Sequence, residues 1–245
     1  MKRRHGLPDS TEHSFTGRFR IEGGTTAPLT PNKAARFNRL VGSFIGAIGS
    51  GLFGPAVLRM GSMSDVLGDD QRTIVAQPFT VEHLPLGAFR ILSGMLFWFN
   101  NQVAPFEWYA VRNVDDGQDL LKTTAAYPAP IHKLPFAVEQ VRQGGVAPAV
   151  LIRIIFQQPP AAETREQFLQ ALKYWDDLLC GGFPVDDGPP GESGVGRSTT
   201  HFVSPTILEH SIDALFADSR CFDLILNMAG QWSSKTKIQQ IEIDA

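Results

Sequence analysis

Cysteine is nearly missing from this chain. Cys180 and Cys221 are the only two, and they form no CxxC pair. That leaves no disulfide framework and no zinc ribbon, and it fits a reducing, cytoplasmic setting. Metal-ligand spacing is missing too. His5, His13, His83, His132, His201 and His210 never fall into HxxxH or HExxH, so a zinc hydrolase is disfavoured and no metal site is expected. Gly-x-Ser-x-Gly does not occur either, which removes the usual nucleophile elbow. There is no basic excess: net charge is −3, with two surplus cations in residues 1–125 and five surplus anions in the remainder. Nucleic-acid binding through the phosphate backbone is therefore not expected.

Long apolar runs are also scarce. MKRRHGLPDSTEHS opens basic but meets Pro, Asp, Ser and Glu where an export signal needs an apolar core. Leu40 to Leu58 is uncharged over 19 residues, yet seven of them are Gly or Ser and Pro55 lies inside. A membrane span needs sustained Leu, Ile, Val and Phe, so none is expected. What remains is ordinary for a globular protein: 245 residues, 43% apolar and 19% charged, too hydrophobic for disorder.

The strongest positive signal is internal. At an offset of 133 residues, Phe19, Arg20 and Ile21 fall on Ile152, Arg153 and Ile154, and Thr73, Ile74 and Val75 fall on Thr206, Ile207 and Leu208. Further along, Phe89, Ile91, Leu92, Met95 and Phe99 fall on Phe222, Leu224, Ile225, Met228 and Trp232. The order of elements repeats as well. In the first half, alternation predicts strands at 14–21, 56–60, 72–81 and 106–114. Thr30-Pro31 opens a helix carrying Phe37, Leu40, Val41, Phe44 and Ile48, and a second helix covers about 86–100. In the second half, strands are expected at 149–156, 199–203, 206–216 and 237–244. Its helices start near Glu163, with Phe168, Leu172, Trp175 and Leu179 on one stripe, and at Ser219. Both halves thus read βαββαβ, an α+β fold of two tandem ferredoxin-like repeats in which helices cover one face of each antiparallel sheet. The divisions are a tail at 1–13, repeat one at 14–114, a linker at 115–148 with a short helix near 135–143, and repeat two at 149–245.

Several motifs bear on chemistry. Gly49, Gly51 and Gly54 spell GxGxxG, with Asp69 twenty residues on, and so resemble a dinucleotide fingerprint. Helical periodicity back to Phe37 leaves no strand before them, and aligning GSGLFGP with CGGFPV makes both segments helix exits, Phe53 matching Phe183. Stopping a helix is the better reading. Gly42, Gly46 and Ser50 recur at four and imply a close approach to a sheet or another chain. The long loop 183–197 ends in GESGVGR, where Gly194, Gly196 and Arg197 are a candidate anion nest. His201 and His210 lie on neighbouring strands and are expected to face each other as structural residues. Cys180 and Cys221 sit on apolar helix stripes, where thiols serve as small hydrophobes.

Strand parity then sorts charge. In repeat two, Val150, Ile152, Ile154 and Phe156 turn inward, leaving Arg153 on the open face with Glu209, Ser211, Asp213, Gln240 and Glu242. In repeat one the matching positions hold Arg18, Arg20, Arg59, Trp108 and Arg112. One open face is expected to be acidic around a single arginine and the other basic, and the two are expected to meet, within a chain or between chains. Arg20, Arg112, Arg153, Glu209, Asp213 and Glu242 are the candidate contact or ligand residues. LGAFRILSGMLFWF carries large apolar residues on more than one face, which calls for an oligomer or a protein partner to bury Phe97 or Trp98. With no catalytic constellation, the chain reads as a non-enzymatic binding or assembly protein. The alternative is an enzyme that binds a small-molecule ligand or cofactor, of the haem or oxygenase type, in a cleft between the two sheets. No cofactor is readable from the residues themselves.

Overall fold

The computed structural model describes residues 14–24, 30–60, 73–75, 79–103, 108–113, 119–120, 127–128, 133–141, 149–183 and 193–245, and shows a mixed α+β protein. Local chemistry accounts for the helices. In α1 (Pro31–Gly49), Thr30 is extended and its side chain accepts the Lys33 N–H, while Pro31 occupies the first turn, where no donor is needed. The helix stops in a Schellman arrangement: Leu52 N donates to Ala47 O, Gly51 N donates to Ile48 O, and Gly51 sits at φ +79°. The GxGxxG glycines therefore form a helix exit, which accounts for their spacing without a nucleotide.

The first sheet contains β1 (Ser14–Gly24), β2 (Val57–Met60), β3 (Thr73–Val75), β4 (Phe79–Pro85) and β5 (Trp108–Asn113). β3 and β4 run antiparallel along one side of β1, from Gly24↔Thr73 to Ser14↔Pro85, and β5 pairs with the other side. The strand expected at 72–81 is thus described in two pieces and extends to 85. Its far end carries a bulge at His83, an exposed residue with φ 60°. The extra residue lets both Val81 and Leu84 turn into the core, where each is fully buried. α2 (Leu86–Gln102) follows directly.

The second sheet runs β6 (Ala137–Val141), β12 (Ile238–Asp244), β7 (Val150–Phe156), β10 (Ile207–Ile212) and β9 (Ser198–Ser204). α3 (Ala162–Leu179) and α4 (Cys221–Trp232) cover its inner face. Two expectations are corrected here. The short helix expected near 135–143 is replaced, at the described residues 137–141, by β6, a strand pairing in parallel with the edge of β12. A free sheet edge supplies backbone partners that a short exposed segment cannot provide for itself. The strand expected at 206–216 breaks after Ile212, and Leu215–Phe216 forms β11, paired with β8 (Gly194–Val195).

Each half places its strands in the same order. In the first, β2, β4, β1 and β5 lie side by side; in the second, β9, β10, β7 and β12 do. The aromatic contacts match as well. Phe37–Phe99 (5.5 Å) and Phe44–Phe89 (6.4 Å) join α1 to α2. Phe168–Trp232 (4.8 Å) and Trp175–Phe222 (6.0 Å) join α3 to α4.

The halves meet through their helices. α1 packs on α3, where Gly46 leaves room for the Tyr174 ring, and Asp177 accepts from both Arg39 Nη2 (2.8 Å) and Ser43 Oγ (2.6 Å). Trp232 Nε1 donates to Ser50 O, and Gly51 abuts Gln231. On the opposite side Gly181, φ +84°, abuts Gly94 and Trp98. Trp98 is thus partly covered from within the chain, while Phe97 keeps 42% of its surface exposed. One continuous core runs through both helix layers. The expected meeting of the two open sheet faces within a chain is corrected accordingly, and so is the cleft between them. The helix layers lie between the sheets because their apolar sides and small residues interlock.

Candidate functional site

The outer face of the second sheet holds most of the described site residues. β7 alternates fully, Val150, Ile152, Ile154 and Phe156 buried and Leu151, Arg153 and Ile155 partly exposed. Register places Glu209 and Glu242 on either side of Arg153. Arg153 Nε lies 2.7 Å from Glu209 Oε1, and Nη1 lies 3.6 Å from Glu242 Oε2. The Glu209 hydrogen bond is the main cause holding the Arg153 pKa above its ordinary value. Gln240 Nε2 then bridges Glu139 and Glu242 at 3.2 and 3.1 Å. Glu139 went unnoticed in the sequence because β6 itself was not expected.

Two shallow grooves, of about 530 and 240 Å³, share Leu151 and Asp244 on this face. The larger reaches Arg197 and Asp213, and the smaller reaches Glu139 and Arg153. Gly194 and Gly196 do not build an anion nest. Gly194 lies in β8, the Gly196 N–H donates to Ala214 O, and the Asp213 carboxylate abuts Gly196. A donor already engaged, beside a negative charge, attracts no anion.

Arg20 and Arg112 lie on the other sheet and are register partners across β1 and β5. The side chains of Arg18, Arg20, Trp108 and Arg112 lie outside the described residues. Arg59 is paired with Glu82 at 2.9 Å.

His201 and His210 do not face each other. His201 pairs with Glu209 in register and is exposed, whereas His210 is fully buried beneath α3. Its Nδ1 is 2.7 Å from Thr200 Oγ1, and its Nε2 lies 3.0 Å from Asp176 Oδ1, off the line of a hydrogen bond. Asp176 also accepts from Ser198 Oγ at 2.7 Å. Neighbouring residues on adjacent strands differ by one in register, and one residue reverses the face. Neither thiol is activated: burial, then Asp177 and Asp176, raises Cys180 to about 11, and burial raises Cys221 well above the usual range. Among the described residues no group of three or more His, Cys, Asp or Glu could hold a metal ion, and no helix is long and apolar enough to cross a membrane.

A second polar cluster sits where the halves join. Tyr127 stacks on Phe183 at 5.2 Å, with the Arg90 and Arg220 guanidinium carbons 4.5 and 4.8 Å from its ring centre. Arg220 is held by Asp218 through two 2.8 Å bonds. In the first turn of α4, burial and then the Asp218 charge raise the Asp223 carboxyl to about 6, against the opposing pull of Arg220. A raised carboxyl pKa means that the folded state binds the extra proton. Its stabilising contribution is complete below about pH 4 and is lost as pH rises through about 6. Asp223→Asn should therefore raise stability at pH 7 by about 1 kcal/mol or less, because the partly exposed group is screened, and should give no gain at pH 4. Urea unfolding at the two pH values measures this, and an equal effect at both would contradict it.

No family model matches the chain, and no curated protein matches it. Among solved structures, one provisionally assigned glycine cleavage system transcriptional repressor aligns over 94% of this chain and 98% of its own, at 10% identity and a TM-score of 0.23. That overlap is too loose to carry an argument about fold or function.

Proposed function

We propose that the chain is a non-enzymatic binding or assembly protein, built from two ferredoxin-like units placed back to back. The shared strand order and the matching aromatic pairs support the two units. The observation that carries the functional reading is the packing of α1 on α3. It turns both helix layers inward, and in this reading the sheet faces turned away from them are the binding surfaces. Fold alone licenses no activity.

In this reading the acidic face around Arg153, Glu209 and Glu242 meets the face bearing Arg20 and Arg112 on a second copy. Different surfaces would be in contact, so the association is head-to-tail. The test reverses charge: Arg20→Glu and Glu209→Arg, singly and together, followed by sedimentation velocity at low salt. Each single change should weaken self-association about tenfold, and the double should recover much of it. A monomer throughout, or single changes without effect, would reject association between the faces.

A further inference from the structure

β9 is an edge of the second sheet: among the described residues it pairs with β10 alone. Edge strands are normally guarded against further pairing by Lys, Pro, inward charges or bulges. Residues 198–202 carry none of these, and the bulge comes only at Val203, beside the turn at Pro205 and Thr206. We propose that this edge pairs antiparallel with the same edge of a second copy, about a two-fold axis at Thr200, so that the two copies share one continuous sheet. The contact is made by the backbone edge and not by the sheet face, so it goes beyond the function proposed above and does not depend on it.

The helix layer stops short of this edge. Ser198 bonds Asp176 and Phe202 lies under the Arg165 guanidinium, both on α3, yet Ser198, Thr200 and Phe202 all stay partly exposed. Beside them on β10, Leu208, His210 and Ile212 are buried. Another strand alongside β9 would complete that cover. The opposite edge offers no such seat, because every residue of β6 is exposed and Glu139 guards it. Register then favours a second copy as the occupant. With Thr200 on the axis, Thr199 lies opposite the partner's His201, and Ser198 opposite the partner's Phe202. Within one copy Thr199 Oγ1 is 2.7 Å from Ser211 Oγ, and His201 is the register partner of Glu209. The outer row therefore runs Ser211, Thr199, the partner's His201, the partner's Glu209, with a hydroxyl beside an imidazole and no like charges opposed. Thr200 meets itself as a Thr–Thr pair, a favourable cross-strand match. Main-chain hydrogen bonds supply the affinity and these rows the register, and a contact between identical edges closes at two copies.

The experiment uses the full chain at high salt, where contacts between charged faces are screened and a backbone ladder is not. Sedimentation velocity should show a dimer. Thr199→Lys combined with His201→Lys sets lysine opposite lysine across the axis and should weaken the dimer about tenfold or more. Both positions are exposed, so the fold should be kept, which far-UV circular dichroism checks. Arg20→Glu, which probes the faces, should leave this dimer unchanged. Cross-linking tests the register. Directly opposite residues of an antiparallel pair have Cα atoms about 4.5–5.5 Å apart, within disulfide reach. Under mild oxidation a mixture of Thr199→Cys and His201→Cys chains should therefore form a disulfide-linked dimer several times faster than either variant alone, with the wild-type thiols Cys180 and Cys221 as the blank. A monomer at high salt, or a dimer that the lysines leave unchanged, would overturn the edge pairing and leave association of the faces standing. Cross-linking of either cysteine variant alone as fast as the mixture would overturn the register at Thr200, and with it the two-fold pairing.

Discussion

Gly94→Val is expected to destabilise the protein by about 3 kcal/mol or more, since overpacking a tight site costs 1–3 kcal/mol and here the obstacle is backbone. A Cβ at position 94 would run into the Gly181 carbonyl, and a Cβ at 181 would meet Trp98 and the Gly94 carbonyl. Neither side can yield by rotating a side chain. Gly181 is in addition left-handed, so Gly181→Ala combines the clash with a conformational cost of about 1–2 kcal/mol. Gly54 supplies the control: it too is left-handed, at φ +94°, but nothing lies within 4 Å of its would-be Cβ. Gly54→Ala should therefore show the conformational cost alone. For a chain of this length the Gly94 change corresponds to a fall of about 6–12 °C in Tm. Thermal unfolding of the three variants is the measurement. Similar losses for Gly54→Ala and Gly94→Val would mean that α2 does not approach the exit of α3 this closely.

Trp175→Ala should cost about 3–5 kcal/mol, the range for removing a large buried aromatic. The ring has no exposed surface, packs against Phe222 and lies edge-on to His210 at 5.5 Å. Its Nε1 donates to Cys221 O at 2.8 Å, which ties α3 to the first turn of α4. Trp175→Phe keeps much of the packing and loses that bond, so about 1–2 kcal/mol is expected from it. The urea midpoint should fall in the order wild type, Trp175→Phe, Trp175→Ala. If Trp175→Phe is as damaging as Trp175→Ala, the hydrogen bond and not the bulk dominates, and the packing argument fails.

Much of the architecture was legible before any coordinates. Thr30-Pro31 and the 3.6-residue stripe mark α1, and strict alternation marks β7 together with the face on which Arg153 stands. Parity alone therefore assembled Arg153, Glu209 and Glu242, because on paired strands residues that share a parity stay neighbours. His201 and His210 were paired only because their strands are neighbours; the parity that turns Glu209 and Ser211 outward puts His210 on the inner face, where it is buried. Parity missed β6, whose five residues are all exposed and carry no period; what makes them a strand is the edge of β12, about a hundred residues away in sequence.

The amino-acid sequence by itself determined the four helices, most of the strands, their order and the sorting of charge on the second sheet, because each depends on neighbours within a few residues. Only the tertiary structure decided which faces of the two halves meet. The small residues of α1 announce a close approach without naming the partner. Whether Gly46 admits Tyr174 or a strand depends on the shapes of surfaces about 130 residues apart. Once α1 and α3 interlock, the helices occupy the centre, and the described site residues of the second sheet stand on the face turned away from them.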